Sequence, residues 1–221
     1  MIRLIVVCEG QTEQEFCRNV LAPHLREFDV YLSAPRIEHS GGGDVRWPKV
    51  RRQLMAHLQS DTSALLTTMI DYYGRTAPHD WPNAAAASAE ADIRERVGIL
   101  EEGMSQEVDT EHTGRFIPHL QLHEFEALLY SDPAAITPML EGDTDAMTSA
   151  MEAVVREAGE PELINSRRDK TPARRLAAIA PEYAKGVYGP LLAEAVGLGR
   201  MRAACPGFDR WVGRLEELGD R

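Results

Sequence analysis

Acidic side chains stand directly after three of the apolar runs in this sequence. Glu9 and Glu13 follow Ile2 to Cys8, Asp71 follows Ser63 to Ile70, and Glu124 and Glu126 follow Arg115 to Leu122. Carboxylates gathered at one place repel one another, and burial raises that cost. A divalent cation relieves it. Hard oxygen ligands suit Mg²⁺ or Mn²⁺, which use one or two protein carboxylates with water and substrate phosphate. The chemistry of such a site would be metal-assisted attack on a phosphate ester. Each acid also has an ordinary reading, because Asp and Glu are common in turns and first helical turns, where they cap and complement the dipole. Glu9, Asp71 or Glu124 taken singly serves as well in that role. That all three end apolar runs is the informative pattern. Glu13 and Glu15 are first-turn acids by position. Glu124 and Glu126 face different sides of a helix, so one of them reaches the site and the sequence leaves open which.

These residues need a scaffold that brings them together. Ile2 to Cys8 has six apolar residues in seven and reads as a fully buried strand. It stops at Glu9-Gly10, and Thr12-x-x-Glu15 opens a helix in the manner of a capping box. That helix runs from Glu13 to Glu27, with Pro23 expected to end or kink it. Val30 to Ile37 reads as a second strand, a helix starts at Pro48, and Ser63 to Ile70 is a buried strand ending at Asp71. Asn83 to Val108 is expected to be one long helix, and Arg115 to Leu122 a further strand that turns helical at His123. The pattern is β-α-β-α-β-α-β. In a parallel sheet with right-handed crossovers the carboxyl ends share one edge, where open α/β sheets bind ligands. The expected fold is α/β, a mostly parallel four-stranded sheet flanked by helices. Residues 1–131 would form that domain, and residues 132–221 a helical C-terminal extension packed on it. Phe208, Trp211, Val212 and Leu215 form the packing stripe of its last helix.

Basic residues offer candidate phosphate contacts in two places. Arg46, Lys49, Arg51 and Arg52 lie beside the loop glycines Gly41, Gly42 and Gly43, and Arg167, Arg168, Lys170, Arg174 and Arg175 form a later cluster. Glycine lets a backbone approach phosphate closely and arginine grips it bidentately, but the Gly-Lys-Ser/Thr ending of a P-loop is missing. A surface loop and a solvated helix face explain the two clusters equally well. His123 adjoins Glu124 and is placed to assist a proton transfer; a packed or capping histidine is the plainer role. Cys8, inside a buried strand, should be an inert thiol.

The 221 residues carry a formal net charge of -11, which counts against bulk electrostatic coating of nucleic acid and leaves room for a local basic groove. An apolar fraction of 43% with 27% charged residues is ordinary for a globular chain. No apolar run reaches membrane-spanning length, so no membrane is expected. The N-terminus reads as a core strand rather than a signal peptide. Three cysteines without metal-ligand spacing fit a reducing, cytoplasmic setting.

The strand ending in Glu-Gly-x-Thr-Glu, the strand ending in Asp71 with Gly74 close behind, and His123-Glu124-Phe125-Glu126-Ala127-Leu128 together resemble the Toprim-like family named domain of unknown function 4276 (DUF4276). The stretch from Ser166-Arg167-Arg168 through Tyr183-x-Lys185 to Cys205-Pro206-x-Phe208-x-x-Trp211 is similar to the same family. A more distant resemblance is to RloB-like and OLD-family Toprim proteins found beside ATPases in bacterial phage-defence loci. That resemblance implies Mg²⁺ held by Glu9 and Asp71 for phosphodiester chemistry. Tyr73 stands where the Toprim Asp-x-Asp places its second acid, so a ligand is missing or comes from Glu13, Glu124 or Glu126. The expected function is a Mg²⁺-dependent nuclease or nuclease-derived effector, acting on nucleic acid with an ATPase partner. The rivals are a non-catalytic partner that senses nucleic acid or docks on an ATPase, and an enzyme on a small nucleotide or phosphorylated substrate.

Overall fold

The computed structural model describes residues 1–38, 45–72, 80–112, 114–164 and 170–220, with the backbone only at 109–111. The Gly41–Gly43 loop, Tyr73, Gly74, Arg167 and Arg168 lie outside the described residues. Strand β1 (Ile2–Cys8) is central, paired in parallel with β2 (Val30–Ser33) on one side and β3 (Leu65–Asp71) on the other. The second strand is thus shorter than the expected Val30 to Ile37, although Cys8 still bridges to Arg36 beyond it.

The fourth track of the sheet is split where one strand was expected. Both β4 (Phe116–Ile117) and β5 (Leu120–Gln121) pair in parallel with β3, β4 beside Leu66 and Thr67, β5 beside Ile70 and Asp71. Pro118 lies between them and has no N–H for a ladder bond. The Thr68 hydroxyl bridges the gap, donating to the His119 carbonyl at 2.6 Å and accepting from the His119 N–H at 3.2 Å. Pairing therefore resumes in time to set Gln121 beside Asp71.

The first helical path also differs from expectation. Helix α1 (Gln11–Phe16), a π-helical turn (Cys17–Leu21) and α2 (Ala22–Arg26) follow without a break. Pro23 would crowd the carbonyl four residues back in a regular α-helix. The wider π turn absorbs the misfit and leaves Pro23 in the first turn of α2. Helix α3 (Trp47–Ser60) begins beside Pro48 as expected. The long helix expected from Asn83 is instead α4 (Ala84–Ala89) and α5 (Ile93–His112). Side-chain capping separates them: Glu90 accepts from the Ala91 and Asp92 N–H groups, and Asp92 accepts from those of Arg94 and Glu95. After a 3₁₀ turn (Phe125–Ser131) come α6 (Pro133–Ile136), α7 (Thr144–Ala158), α8 (Pro172–Ile179), α9 (Lys185–Val196), α10 (Leu198–Ala204) and α11 (Pro206–Glu216). Among the described residues no strand occurs in this part.

Strand alternation divides the core between the two sheet faces. Val7, Leu66 and Ile70 meet α3 through Val50, Leu54 and Leu58, and α5 through Leu100, Met104 and Val108. Leu4, Val6, Cys8 and Met69 meet Phe16, Leu21, Phe125 and Leu128, together with Phe208, Trp211, Val212 and Leu215 of α11. The stripe read from the sequence is therefore part of the main core. Trp211 also donates from Nε1 to Thr67 Oγ1 at 3.0 Å, and its ring stacks on His119 at 4.4 Å between centroids.

Phe208 sits among Phe16 and Trp211, with ring centroids 6.0 Å and 5.8 Å away. Truncation to alanine should cost about 3–5 kcal/mol by urea denaturation. Because α11 and β1 share one core, circular dichroism and tryptophan fluorescence should report one coincident transition. A separate early loss of helix would contradict the shared core.

Burial pulls the His119 imidazole down to about 3, and the positive charge of Arg214 acts the same way. Below pH 6.5 the unfolded chain then binds a proton that the folded chain refuses, so stability falls as pH drops from 6.5 toward 3. The His119→Phe variant keeps an aromatic ring against Trp211 and should have a visibly flatter stability curve over that window.

Candidate functional site

The turn after β1 is shaped around a carboxylate. Gly10 has extended backbone angles, and a Cβ there would lie 2.9 Å from Glu13 Oε2, so glycine leaves the room that Glu13 occupies. The expected capping box does not form. Gly10 is the N-cap, Glu15 accepts from the Gln11 side chain at 2.7 Å, and Thr12 Oγ1 donates to the carbonyl of Lys185 at 3.3 Å. Glu9 reaches the neighbouring strand: the Asp71 N–H donates to Glu9 Oε2 at 3.0 Å. Asp71 ends β3, and Glu126 is the second residue of the 3₁₀ turn. Exposure is 2% for Glu13, 8% for Asp71 and 0% for Glu126, so three carboxylates lie below the surface together.

The cation among them is a lysine from the C-terminal part. Lys185 Nζ lies 3.0 Å from Glu126 Oε2, 3.5 Å from Glu13 Oε1 and 3.5 Å from Asp71 Oδ2. Tyr183, two residues earlier, donates its hydroxyl to the other Glu126 oxygen at 3.1 Å. Burial raises the Glu13 carboxyl and raises that of Asp71 well above the ordinary range, and the Lys185 charge opposes both shifts. For Lys185 desolvation works downward, but Asp71, Glu126 and Glu13 outweigh it and hold the ammonium protonated well above its usual range.

Of the residues named from sequence, Glu9, Glu13, Asp71 and Glu126 meet here. Glu124 does not join them. Its Oε2 accepts the Ala173 N–H at 3.0 Å and so caps the first turn of α8, while burial raises its pKa. His123 is buried in a left-handed conformation at φ 63, and burial pulls its ring down to about 4, so it is neutral at pH 7. The basic candidates that are described sit elsewhere. Arg51 donates to the Glu107 carbonyl and pairs with its carboxylate at 3.7 Å. Lys170 lies 3.8 Å from Glu157, which also pairs with Arg175 at 2.8 Å. Arg46 is the exposed N-cap of α3, and Lys49 lies in its first turn. Sequence reasoning missed Lys185 and Tyr183 as site residues; the available signal was the Tyr-x-Lys spacing just before an apolar helix.

The donor set has the hard oxygen chemistry that Mg²⁺ or Mn²⁺ prefers. Among the described residues no three acidic, histidine or cysteine side chains form a ready ligand set for a metal ion. The three carboxylates around Lys185 stand 3.0–3.5 Å from Nζ, a spacing suited to an ammonium and longer than the ~2.0–2.1 Å of Mg²⁺–oxygen bonds. Glu9 and Asp71 lie at neighbouring strand ends, where the Asp71 N–H donates to Glu9, and would offer the one or two protein carboxylates that a hard cation needs. The three cysteines are buried and unbridged. No helix among the described residues is long and apolar enough to cross a membrane.

Lys185→Met leaves buried acids without their ammonium. With 41% of its side chain exposed, the loss should be about 1–3 kcal/mol, below that for breaking a dry pair. The defect should shrink as pH falls and the carboxyls take protons, a trend readable from Tm between pH 8 and pH 5. A constant defect would mean that Lys185 contributes packing alone.

A search of curated proteins finds no match. The structure of the C-terminal region of the Burkholderia pseudomallei OLD protein is similar, with a TM-score of 0.48 and 14% identity over 98% of this chain and 98% of that chain. The family model described as Domain of unknown function (DUF4276) matches residues 8–216, nearly the whole chain, and the protein belongs to that family.

Proposed function

We propose that the acidic edge of the sheet is a phosphodiester-cleaving centre of nuclease type, working with Mg²⁺ or Mn²⁺. The observation that carries this reading is the meeting of Glu13, Asp71 and Glu126 around a single lysine, with Glu9 bonded to the Asp71 N–H beside them, at the carboxyl ends of parallel strands. Glu9 and Asp71 would hold the cation. When bound, a divalent ion polarises the scissile phosphate and lowers the pKa of water. The chain's own groups do the rest. Lys185 presents a fixed positive charge to a phosphate oxygen, where negative charge builds in the transition state. Tyr183 and Lys185 together hold Glu126, so its carboxylate keeps the ammonium aimed at the edge. Glu13, raised by burial, is the carboxyl suited to taking a proton from water. The resemblance to OLD-family and RloB-like Toprim proteins supports nucleic acid as substrate, an ATPase partner and a role in phage defence.

A second reading, an enzyme on a small nucleotide or phosphate ester, draws support from the basic residues. Arg51, Lys170 and Arg175 are engaged by Glu107 and Glu157 rather than lining the acidic edge. A small substrate needs no extended groove.

One substrate panel tests both. Purified protein with Mg²⁺ or Mn²⁺ should cleave a member of a set of single- and double-stranded DNA, RNA and nucleotides. Glu9→Gln and Asp71→Asn should each lower the rate by about 10–100-fold or more. Cleavage of nucleotides but not polymers selects the second reading. Activity left intact by both substitutions rules out this site.

A further inference from the structure

On the other side of the β4–β5 edge, α5 and α11 enclose a cleft of about 340 Å³ that shares no lining residue with the acidic site. That volume is at the lower end of small-molecule sites, which span roughly 300–1,000 Å³. Its walls bring together Arg94 of α5 with Arg210 and Arg214 of α11. The two α11 arginines are one turn apart, on the same face of the helix. Both are exposed, and neither makes a hydrogen bond or a close ion pair among the described residues. Arg94 is held by Glu160.

Acids also line the cleft, but most of their capacity is committed to backbone. Glu162 accepts from the Gly207 and Phe208 N–H groups at 2.7 Å and 2.8 Å, capping α11. Glu101 accepts from the Leu120 N–H at 2.8 Å, and burial pushes its carboxyl up to about 7 against the opposing charges of Arg214 and Arg210, so it is only partly charged at neutral pH. Glu95 is an exposed residue of the first turn of α5. The floor is apolar and aromatic, with His119 stacked on Trp211. On the α5 wall Gly98 carries no side chain, and a Cβ there would meet nothing within 4 Å.

We propose that this cleft is a second, metal-independent binding site that takes a phosphate ester, gripped by Arg210 and Arg214. Guanidinium forks match phosphate oxygens bidentately. A chain with a net charge of -11 repels anions at long range, and here two arginines feel the charge of Glu101 and Glu162 yet form no close ion pair with either, which leaves their guanidinium N–H groups open to an anion. The phosphate can belong to a free nucleotide or to a nucleic-acid chain.

Calorimetry on the full chain in EDTA, which silences any metal-dependent binding at the acidic edge, tests this with inorganic phosphate, adenosine monophosphate and a short single-stranded oligodeoxynucleotide. Wild type should bind at least one of the two esters more tightly than inorganic phosphate. Binding of the monophosphate identifies a nucleotide site, and binding of the oligonucleotide alone identifies a chain phosphate. Arg210→Gln with Arg214→Gln should weaken binding at least tenfold. Gly98→Leu, which fills the cleft from its open wall, should weaken it as much while circular dichroism stays unchanged. Arg18→Gln with Arg26→Gln removes the same charge from exposed positions elsewhere and should leave the affinity within twofold. Absence of binding by wild type, binding that survives the Arg210 and Arg214 substitutions, or equal loss in the Arg18 and Arg26 variant would each overturn the proposal.

Discussion

The site depends on one ammonium placed among carboxylates that would otherwise repel each other below the surface. Lys185 touches acids from three separate elements, so it fixes their relative positions as well as their charge. It does this from an unfavourable place. Lys185 is the first residue of α9, where the helix dipole disfavours a cation by about 0.3–1 kcal/mol. Three neighbouring carboxylates are a larger effect at 3.0–3.5 Å, even with water reaching part of the side chain. The sequence of α9 thus obeys the site rather than the helix.

Several contacts keep that ammonium in register. Thr12 ties the Lys185 carbonyl to α1, one residue from Glu13. One turn further along α9, Gly189 lets the two helices close on each other, since a Cβ there would come 2.7 Å from Thr12 Cγ2. Tyr183 fixes the far oxygen of Glu126. Behind them, α11 covers the sheet face that β1 and Phe16 would otherwise expose. The C-terminal helices therefore complete the charge balance and the core on the Leu4, Val6 and Cys8 face of β1, while α3 and α5 cover the Val7 face.

What could be read from the sequence follows from how local the determinants are. Buried parallel strands appear as apolar runs, so β1 and β3 and the acids at their ends were legible, as were the Pro48 helix start and the α11 stripe. Breaks set by side chains were not. Asp92 looks like one more acid in an Ala- and Glu-rich helix until its carboxylate is seen capping α5. The role of Pro118 depends on Thr68, fifty residues earlier, standing in for the ladder. Choosing between Glu124 and Glu126 required knowing that Glu124 precedes the helical turn in extended backbone and points to α8, a segment that no local pattern connects to it. Lys185 was the hardest, because its partners lie at positions 13, 71 and 126 and a lysine opening a helix looks solvated.

The arrangement also ranks the acids. Lys185 stands among Glu13, Asp71 and Glu126, so while it is there a divalent ion has no access to the point those three share. In the proposed site the cation would therefore sit on the Glu9 side, with Asp71 the carboxylate placed between it and the ammonium. Its Oδ2 faces Lys185, while its own N–H holds Glu9 in place across the strand ends. In that proposal a change at Glu9 falls first on the cation side, and changes at Glu13 and Glu126 fall first on the ammonium that both touch. A change at Asp71 disturbs both, and the side chain has little freedom to compensate, because it ends a strand paired on both sides and is almost wholly buried.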